Sequence, residues 1–354
     1  MVCSLRRLLC AFPLLFISTS AQGLKAFSTA AQDSMIQIGI ALYDNGEYDK
    51  AIVVYQAVLK ENPANALAHA ELAFTCFAKQ QYADAIQTAS EGLKYDSKYR
   101  SVLYLHLGNS YDMLGEKEKA FSAFREGLVY NPNGYMLHFN LGLAFHRDNQ
   151  IDSARAHYQS ALVANPNHPS SNLALGKLYE YTHKRVPAIL ALTRFLILEP
   201  TSNRSIDAAG RLRNLLSDSL SITRNSKNES TITVLPDSDE VDGDLTTLEL
   251  ALAMTQSVTV SVDSAHTSPI ARVASELSKL FQVESELLAS GNHKGFCWTY
   301  YAPYFAEMQT RGFTNTVVRF IFRSTDKQEV LDYMRTNFKN AKDFTTWNSQ
   351  YHWK

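Results

Sequence analysis

Residues 105–132 read LHLGNSYDMLGEKEKAFSAFREGLVYNP, and residues 139–166 read FNLGLAFHRDNQIDSARAHYQSALVANP. Superposed at an offset of 34, they align Leu107 with Leu141, Gly108 with Gly142, Ala120 with Ala154 and Pro132 with Pro166. Working outward, the alanine column continues as Ala51, Ala85 and Ala188, and the small-residue column as Gly39, Ala73 and Gly176. The terminal column reads Pro63, Ser97, Pro132, Pro166 and Pro200, and an aliphatic residue (Ile38, Leu72, Leu107, Leu141, Leu175) precedes each small one. Successive alanines lie 34, 35, 34 and 34 residues apart, so the chain repeats one structural unit. A small residue on one helix and an alanine on the next allow close backbone approach, with larger side chains filling around them. Proline, which has no amide hydrogen, ends the second helix. The filling residues are Leu42, Cys76, Tyr111, Phe145 and Tyr179 on first helices, and Tyr55, Phe124 and Tyr158 on second helices.

The pattern resembles the tetratricopeptide repeat over residues 32–201, as five tandem units. The resemblance implies an all-α protein whose first half is an α-solenoid of about five helix pairs. Unit two departs from the pattern, ending in Asp96-Ser97-Lys98 with one extra residue. Unit five carries Pro187 just before its alanine, tolerable in the first turn of a helix. Residues 202–220, with Ile206, Leu212, Leu215 and Leu216, are expected to form a helix capping the open end.

The remaining regions differ in composition. Residues 1–32 contain no carboxylate, and Arg6-Arg7 precede an apolar run from Leu8 to Ile17, so residues 1–21 read as a signal peptide cleaved after Ala21. Export to the periplasm or the exterior is expected, with organelle import as the alternative. Cleavage removes Cys3 and Cys10 and leaves Cys76 and Cys297, too few for a disulfide framework. Residues 221–244 read as an exposed, polar, acidic linker. Residues 245–354 read as a smaller, mainly helical domain, with Ser268-Pro269 as a cap and first residue and Val273, Leu277, Leu280 and Leu287 on one face. Val258, Val260 and Val262 alternate as a strand would, among helical neighbours. From Phe296 onward the chain holds all three tryptophans and many other rings, which serve either as a compact core or as a recognition surface; the core is the preferred reading. This tail loosely resembles the C-terminal regions of exported tetratricopeptide-repeat proteins from Bacteroidetes-type bacteria, whose function is unassigned.

With 45% hydrophobic residues and few Gly or Pro, the chain is neither disordered throughout nor collagen-like. Its 34 Lys and Arg balance 35 Asp and Glu, a net charge of −1 that supplies no electrostatic footprint for nucleic acid. HExxH, GxSxG, a phosphate-binding glycine loop and metal-spaced Cys/His pairs are missing from the sequence, so neither catalysis nor a cofactor nor a metal is expected. Ser324-Thr325-Asp326-Lys327 fits a serine–lysine pattern in isolation but reads as a helix cap. His69, His106 and His138 read as interior packing residues.

In tetratricopeptide-repeat proteins the first helices line a concave face. By that resemblance the groove positions here include Ile36, Ile40, Tyr43, Phe74, Phe77, Leu105, Asn109, Met113, Phe139, Asn140, Leu143, Leu173, Lys177 and Glu180. The strongest candidates are Ile40, Phe74, Phe77, Leu105, Asn109, Met113, Phe139, Asn140 and Leu143. So apolar a groove calls for a protein or peptide occupant, either a separate helix or residues 245–354 of the chain itself. The carboxylate clamp of some relatives is missing: Asn109 and Asn140 stand in matching places, but Leu105, Ser170 and Ala174 replace the basic residues. Two functional classes follow, a non-enzymatic scaffold or adaptor and an accessory subunit with an activity in its C-terminal domain.

Overall fold

A computed structural model describes residues 28–217, 222–224, 230–232, 238–239, 241–261, 268–291 and 293–353. The expected signal segment lies outside the described residues, as do most of 218–240 and Val262. The chain forms two compact units, 1–130 and 131–354.

The first unit is three helix pairs: α1 (Ala30–Asp44) with α2 (Tyr48–Glu61), α3 (Ala66–Ala78) with α4 (Tyr82–Gly92), and α5 (Arg100–Met113) with α6 (Lys117–Tyr130). Thr29 and Gln32 form a capping box that starts α1, and the Asn65 side chain accepts from the Ala68 amide to start α3. The unit-two departure has its consequence here, since α4 stops at Gly92 and is the shortest of these six helices.

The second unit opens with two further pairs, α7 (Tyr135–Arg147) with α8 (Ile151–Ala164) and α9 (Pro169–Tyr181) with α10 (Arg185–Leu198). Pro187 is the third residue of α10, where a missing amide hydrogen breaks no helical bond. Next come α11 (Asn203–Ser217) and two short antiparallel pairings, β1 (Ile222–Arg224) with β2 (Ser230–Ile232) and β3 (Ser238–Asp239) with β4 (Gly243–Asp244). The remainder is helical: α12 (Thr246–Ser261), α13 (Pro269–Ser290), a π turn at Cys297–Tyr301 continuing into α14 (Ala302–Thr310), α15 (Thr314–Ile321), α16 (Lys327–Thr336) and α17 (Phe338–Gln350). Among the described residues the protein is all-α apart from those short pairings. Val258 and Val260 lie inside α12, so helical context overrides their alternation.

Each helix pair closes on the columns seen in the sequence. A Cβ placed on Gly39 would lie 2.4 Å from the Tyr55 ring, on Gly108 2.5 Å from Phe124, on Gly142 2.8 Å from Tyr158 and on Gly176 2.9 Å from Leu192. The small residue is thus the socket for a large side chain sixteen positions later, and the column alanines Ala51, Ala85, Ala120, Ala154 and Ala188 are all buried beside it. In the second pair the socket is Ala73, and the residue sixteen later shrinks to Ala89.

The helix α10 departs from the usual amphipathic pattern. Every residue from Val186 to Ile197 is buried, because α9 and α11 pack on it together with α12, α15 and the π turn. A helix apolar on all sides needs such a surround. Ser268 caps α13 by accepting from the Ala271 amide, and the α13 stripe of Val273, Leu277, Leu280 and Phe281 meets α12, α14 and α15.

Candidate functional site

In the first unit, successive first helices place three rings in a row. Tyr43 of α1 lies 4.9 Å from Phe74 of α3, and Phe74 lies 5.2 Å from His106 of α5. Phe74 is 37% exposed and Met113 is 53% exposed, while Ile40, Phe77, Leu105 and Asn109 are half-buried around them. Ile36 is fully buried in the core with Tyr55 and Val58, which removes it from the expected groove lining. Burial pushes the His106 imidazole down to about 4 and leaves its Nδ1 without a hydrogen-bond partner. At neutral pH the row is therefore an uncharged aromatic surface.

In the second unit Phe139, Asn140 and Leu143 of α7 are half-buried. The His168 ring meets the Phe139 ring edge-on at 5.0 Å, and Tyr158 lies 6.1 Å from it. The fifth-repeat positions are polar and engaged: Lys177 pairs with Asp207 at 3.0 Å and Glu180 accepts from Arg211 at 2.6 Å, both partners lying on α11. Leu173 is buried.

The C-terminal half meets the repeats of this unit through α8, α9 and α10. Asp242, on the stretch read as an exposed linker, is instead buried, and its carboxylate accepts from the Tyr179 hydroxyl, from Gln159 at 2.7 Å and from Arg155 at 3.0 Å, with Lys184 at 3.5 Å. Burial first, and the neighbouring acid groups after it, push Tyr179 well above the usual phenol range, so it stays a donor. The Tyr301 hydroxyl donates to Asn172 at 2.9 Å, and Glu249 accepts from the Val186 amide at 2.9 Å. Arg194 of α10 is fully buried, and among the described residues no carboxylate pairs with it. It donates to Asn348 at 2.8 Å and Asn167 at 2.9 Å, and its guanidinium lies over Tyr304 and Trp353 at 4.6 and 4.8 Å. The aromatic tail is therefore largely core: Trp298, Tyr300, Tyr301, Tyr304, Phe305, Phe313 and Phe322 are all buried.

The sequence reading missed these anchors. The signal was legible, since Val186-Pro-Ala-Ile-Leu-Ala-Leu-Thr-Arg-Phe-Leu-Ile197 leaves no polar face and calls for cover on every side.

Several side chains with potential for chemistry are held in structural contacts. His69 and His138 each meet through Nε2 a proline carbonyl six residues earlier, Pro63 at 2.9 Å and Pro132 at 3.0 Å. Among the described residues no cluster of three or more His, Cys, Asp or Glu is placed to hold a metal. Cys76 and Cys297 are both buried and share no disulfide, and burial pushes the Cys76 thiol up to about 11. Ser324 donates its hydroxyl proton to the Pro200 carbonyl, and α16 starts at Lys327.

Comparison with known proteins agrees with the repeat architecture. Two tetratricopeptide-repeat family models match residues 42–107 and 105–169. The general transcriptional corepressor trfA of Dictyostelium discoideum is 29% identical over 119 residues, 33% of this chain and 8% of that protein. The type IV pilus assembly protein PilF of Pseudomonas aeruginosa is 27% identical over 160 residues, 45% of this chain and 63% of that protein. The chain thus spans less than two thirds of the length of either relative. Among solved structures, that of Pseudomonas aeruginosa pilF shares 24% identity at a TM-score of 0.48, covering 53% of this chain and 85% of that one. With the 34-residue columns, the helix pairs and the family matches in agreement, residues 42–169 of this protein are tetratricopeptide repeats.

Proposed function

We propose that the protein is a non-enzymatic interaction scaffold whose repeat groove receives an apolar peptide or helix from a protein partner. The observation that carries this reading is the Tyr43–Phe74–His106 row, with Phe74 and Met113 left open to solvent on the first unit. Burying one large apolar side chain contributes roughly 1.5–3 kcal/mol, so a few anchors can offset the cost of ordering a short helix. Ile40, Phe77 and Leu105 flank the row, and Asn109 offers hydrogen bonds to a ligand backbone. Phe139, Asn140 and Leu143 play the corresponding part on the second unit.

The seating of the C-terminal half on α8, α9 and α10 favours a separate partner over occupation of the groove by residues 245–354. Among the described residues no helix is long and apolar enough to cross a membrane. The N-terminal sequence supports export, and a mature protein beginning at Gln22 is expected from N-terminal sequencing.

The groove is tested by placing a photo-crosslinking residue at position 113 of the full chain in its native cells, with Phe74 kept or changed. One discrete partner, lost on Phe74→Asp, supports the reading. Crosslinks confined to residues 245–354 replace it with self-occupancy, and crosslinks unaffected by Phe74→Asp overturn it.

A further inference from the structure

Between α15, α16 and α17 the second unit holds an apolar cavity of about 510 Å³, within the size range of small-molecule sites. The helix α16 contributes Lys327, Val330, Leu331 and Met334, at the spacing that places residues on one helix face. From α17 come Phe338, Ala341 and Thr345, also one face. Two such stripes on neighbouring helices ordinarily close on each other. Here they leave a slot, with Leu331 52% and Phe338 70% exposed at its mouth.

The charge in this slot is all of one sign. Arg323 and Lys327 line it, and among the described residues no carboxylate does. The nearby acids are engaged elsewhere: Asp326 with Arg213, Glu329 with the Ser268 hydroxyl at 2.8 Å, and Asp332 with Gln328 at 3.0 Å. The guanidinium of Arg323 lies over the Phe320 ring at 4.4 Å, and its Nε is buried with no hydrogen-bond partner. A buried donor left unmet is costly and calls for an acceptor. Apolar volume, a forked donor and an ammonium together match one ligand chemistry, an alkyl chain ending in an anion that can take two hydrogen bonds.

We propose that this cavity binds a free long-chain carboxylic acid, with the alkyl chain between α16 and α17 and the carboxylate between Arg323 and Lys327. The apolar stripes supply affinity in proportion to chain length, and the two cations supply preference for the acid over its neutral analogues.

The test is calorimetric titration of the full chain with decanoate, laurate and myristate below their micelle concentrations, alongside the matching alcohols and methyl esters. One saturable site is expected, with affinity rising about two- to fourfold per added methylene until the slot is full. The acid should bind about tenfold tighter than its ester. Arg323→Gln with Lys327→Gln should bring acid and alcohol to equal affinity while leaving alcohol affinity unchanged. Met334→Trp, which fills the slot, should abolish binding of all three classes; if that variant melts early, the charge variants alone decide. Absence of a saturable site, equal affinity of the wild-type chain for acid and ester, or an acid preference that survives the double substitution overturns the proposal. So does binding to phosphatidylcholine vesicles through Leu331 and Phe338 with no affinity for the free acids, because the patch would then meet a lipid surface.

Discussion

Five positions occupied by four residue types carry the same backbone job in these repeats. Gly46, Gln80, Gly115, Asn149 and His183 follow one another at 34, 35, 34 and 34 residues, and all have positive φ, between 57° and 78°. Each turns the chain from a first helix into its second, in the left-handed region where glycine pays no Cβ penalty. Gln80 and His183 do pay it, so Gln80→Gly and His183→Gly should each raise stability by about 1 kcal/mol in urea unfolding. The sockets behave in the opposite sense. Gly108→Ala drives a Cβ to 2.5 Å from the Phe124 ring and should cost roughly 1–3 kcal/mol. Adding Phe124→Ala rebuilds the Ala73–Ala89 arrangement of the second pair, so the double variant should lose less than the sum of the two single ones. A strictly additive cycle would show that the two positions do not couple.

At the scale of elements, the second unit turns on how α10 is covered. Asp242 holds one side of that cover, tying the strand β4 region to α8 and α9. Asp242→Ala leaves Arg155, Lys184 and Tyr179 facing a buried gap and should cost about 3–5 kcal/mol, read as a fall in the urea midpoint. Arg194→Ala removes two hydrogen bonds and two ring contacts of a buried cation and should cost about 3 kcal/mol. The repeat elements were legible in the sequence because their sockets, alanines and prolines are fixed by contacts within a helix pair, which recur at a fixed spacing. Ser268-Pro269 was legible for a similar reason, since capping is local. The groove residues were placed by the same register, and the structure corrects Ile36, which the first pair buries against Tyr55. The left-handed column went unseen because a backbone angle leaves little trace when Gln and His occupy it. Asp242 went unseen because its partners, from Lys184 back to Arg155, lie more than fifty residues away in sequence, and composition alone assigns such a residue to a linker.

For the whole molecule, two buried groups, one in each unit, should respond to acid in opposite directions. His106 of the first unit has its pKa pushed down to about 4 by burial. An unfolded chain takes up that proton near 6.5, so the contribution of His106 is complete above 6.5 and is lost as pH falls towards 4, by about 2 kcal/mol at pH 5. Glu276 of the second unit has its carboxyl pushed up to about 7 by burial, opposed by Arg272 and Arg185. Its contribution is complete below about 4.5 and is lost as pH rises through 7. Burial alone pushes Glu284, on the same helix, well above the usual carboxylate range, and it acts in the same direction. Hydrogen exchange corrected for intrinsic rates should show residues 28–130 less protected at pH 5 than at pH 8, and residues 268–291 more protected. Glu276→Gln should flatten the second trend and His106→Leu the first.

The enclosure of α10 also has a consequence for how the protein is made. A ribosome completes α10 well before it reaches the residues that cover it, which extend to Trp353. At about 5–20 residues per second, a helix with no polar face waits roughly ten to thirty seconds for its lining. The tetratricopeptide repeats as such can form pair by pair as they emerge, but the fifth cannot settle until the chain has been made almost to Trp353. Newly made chains should therefore depend on a holding chaperone during that interval, and slowing elongation downstream of residue 198 should raise the fraction that aggregates.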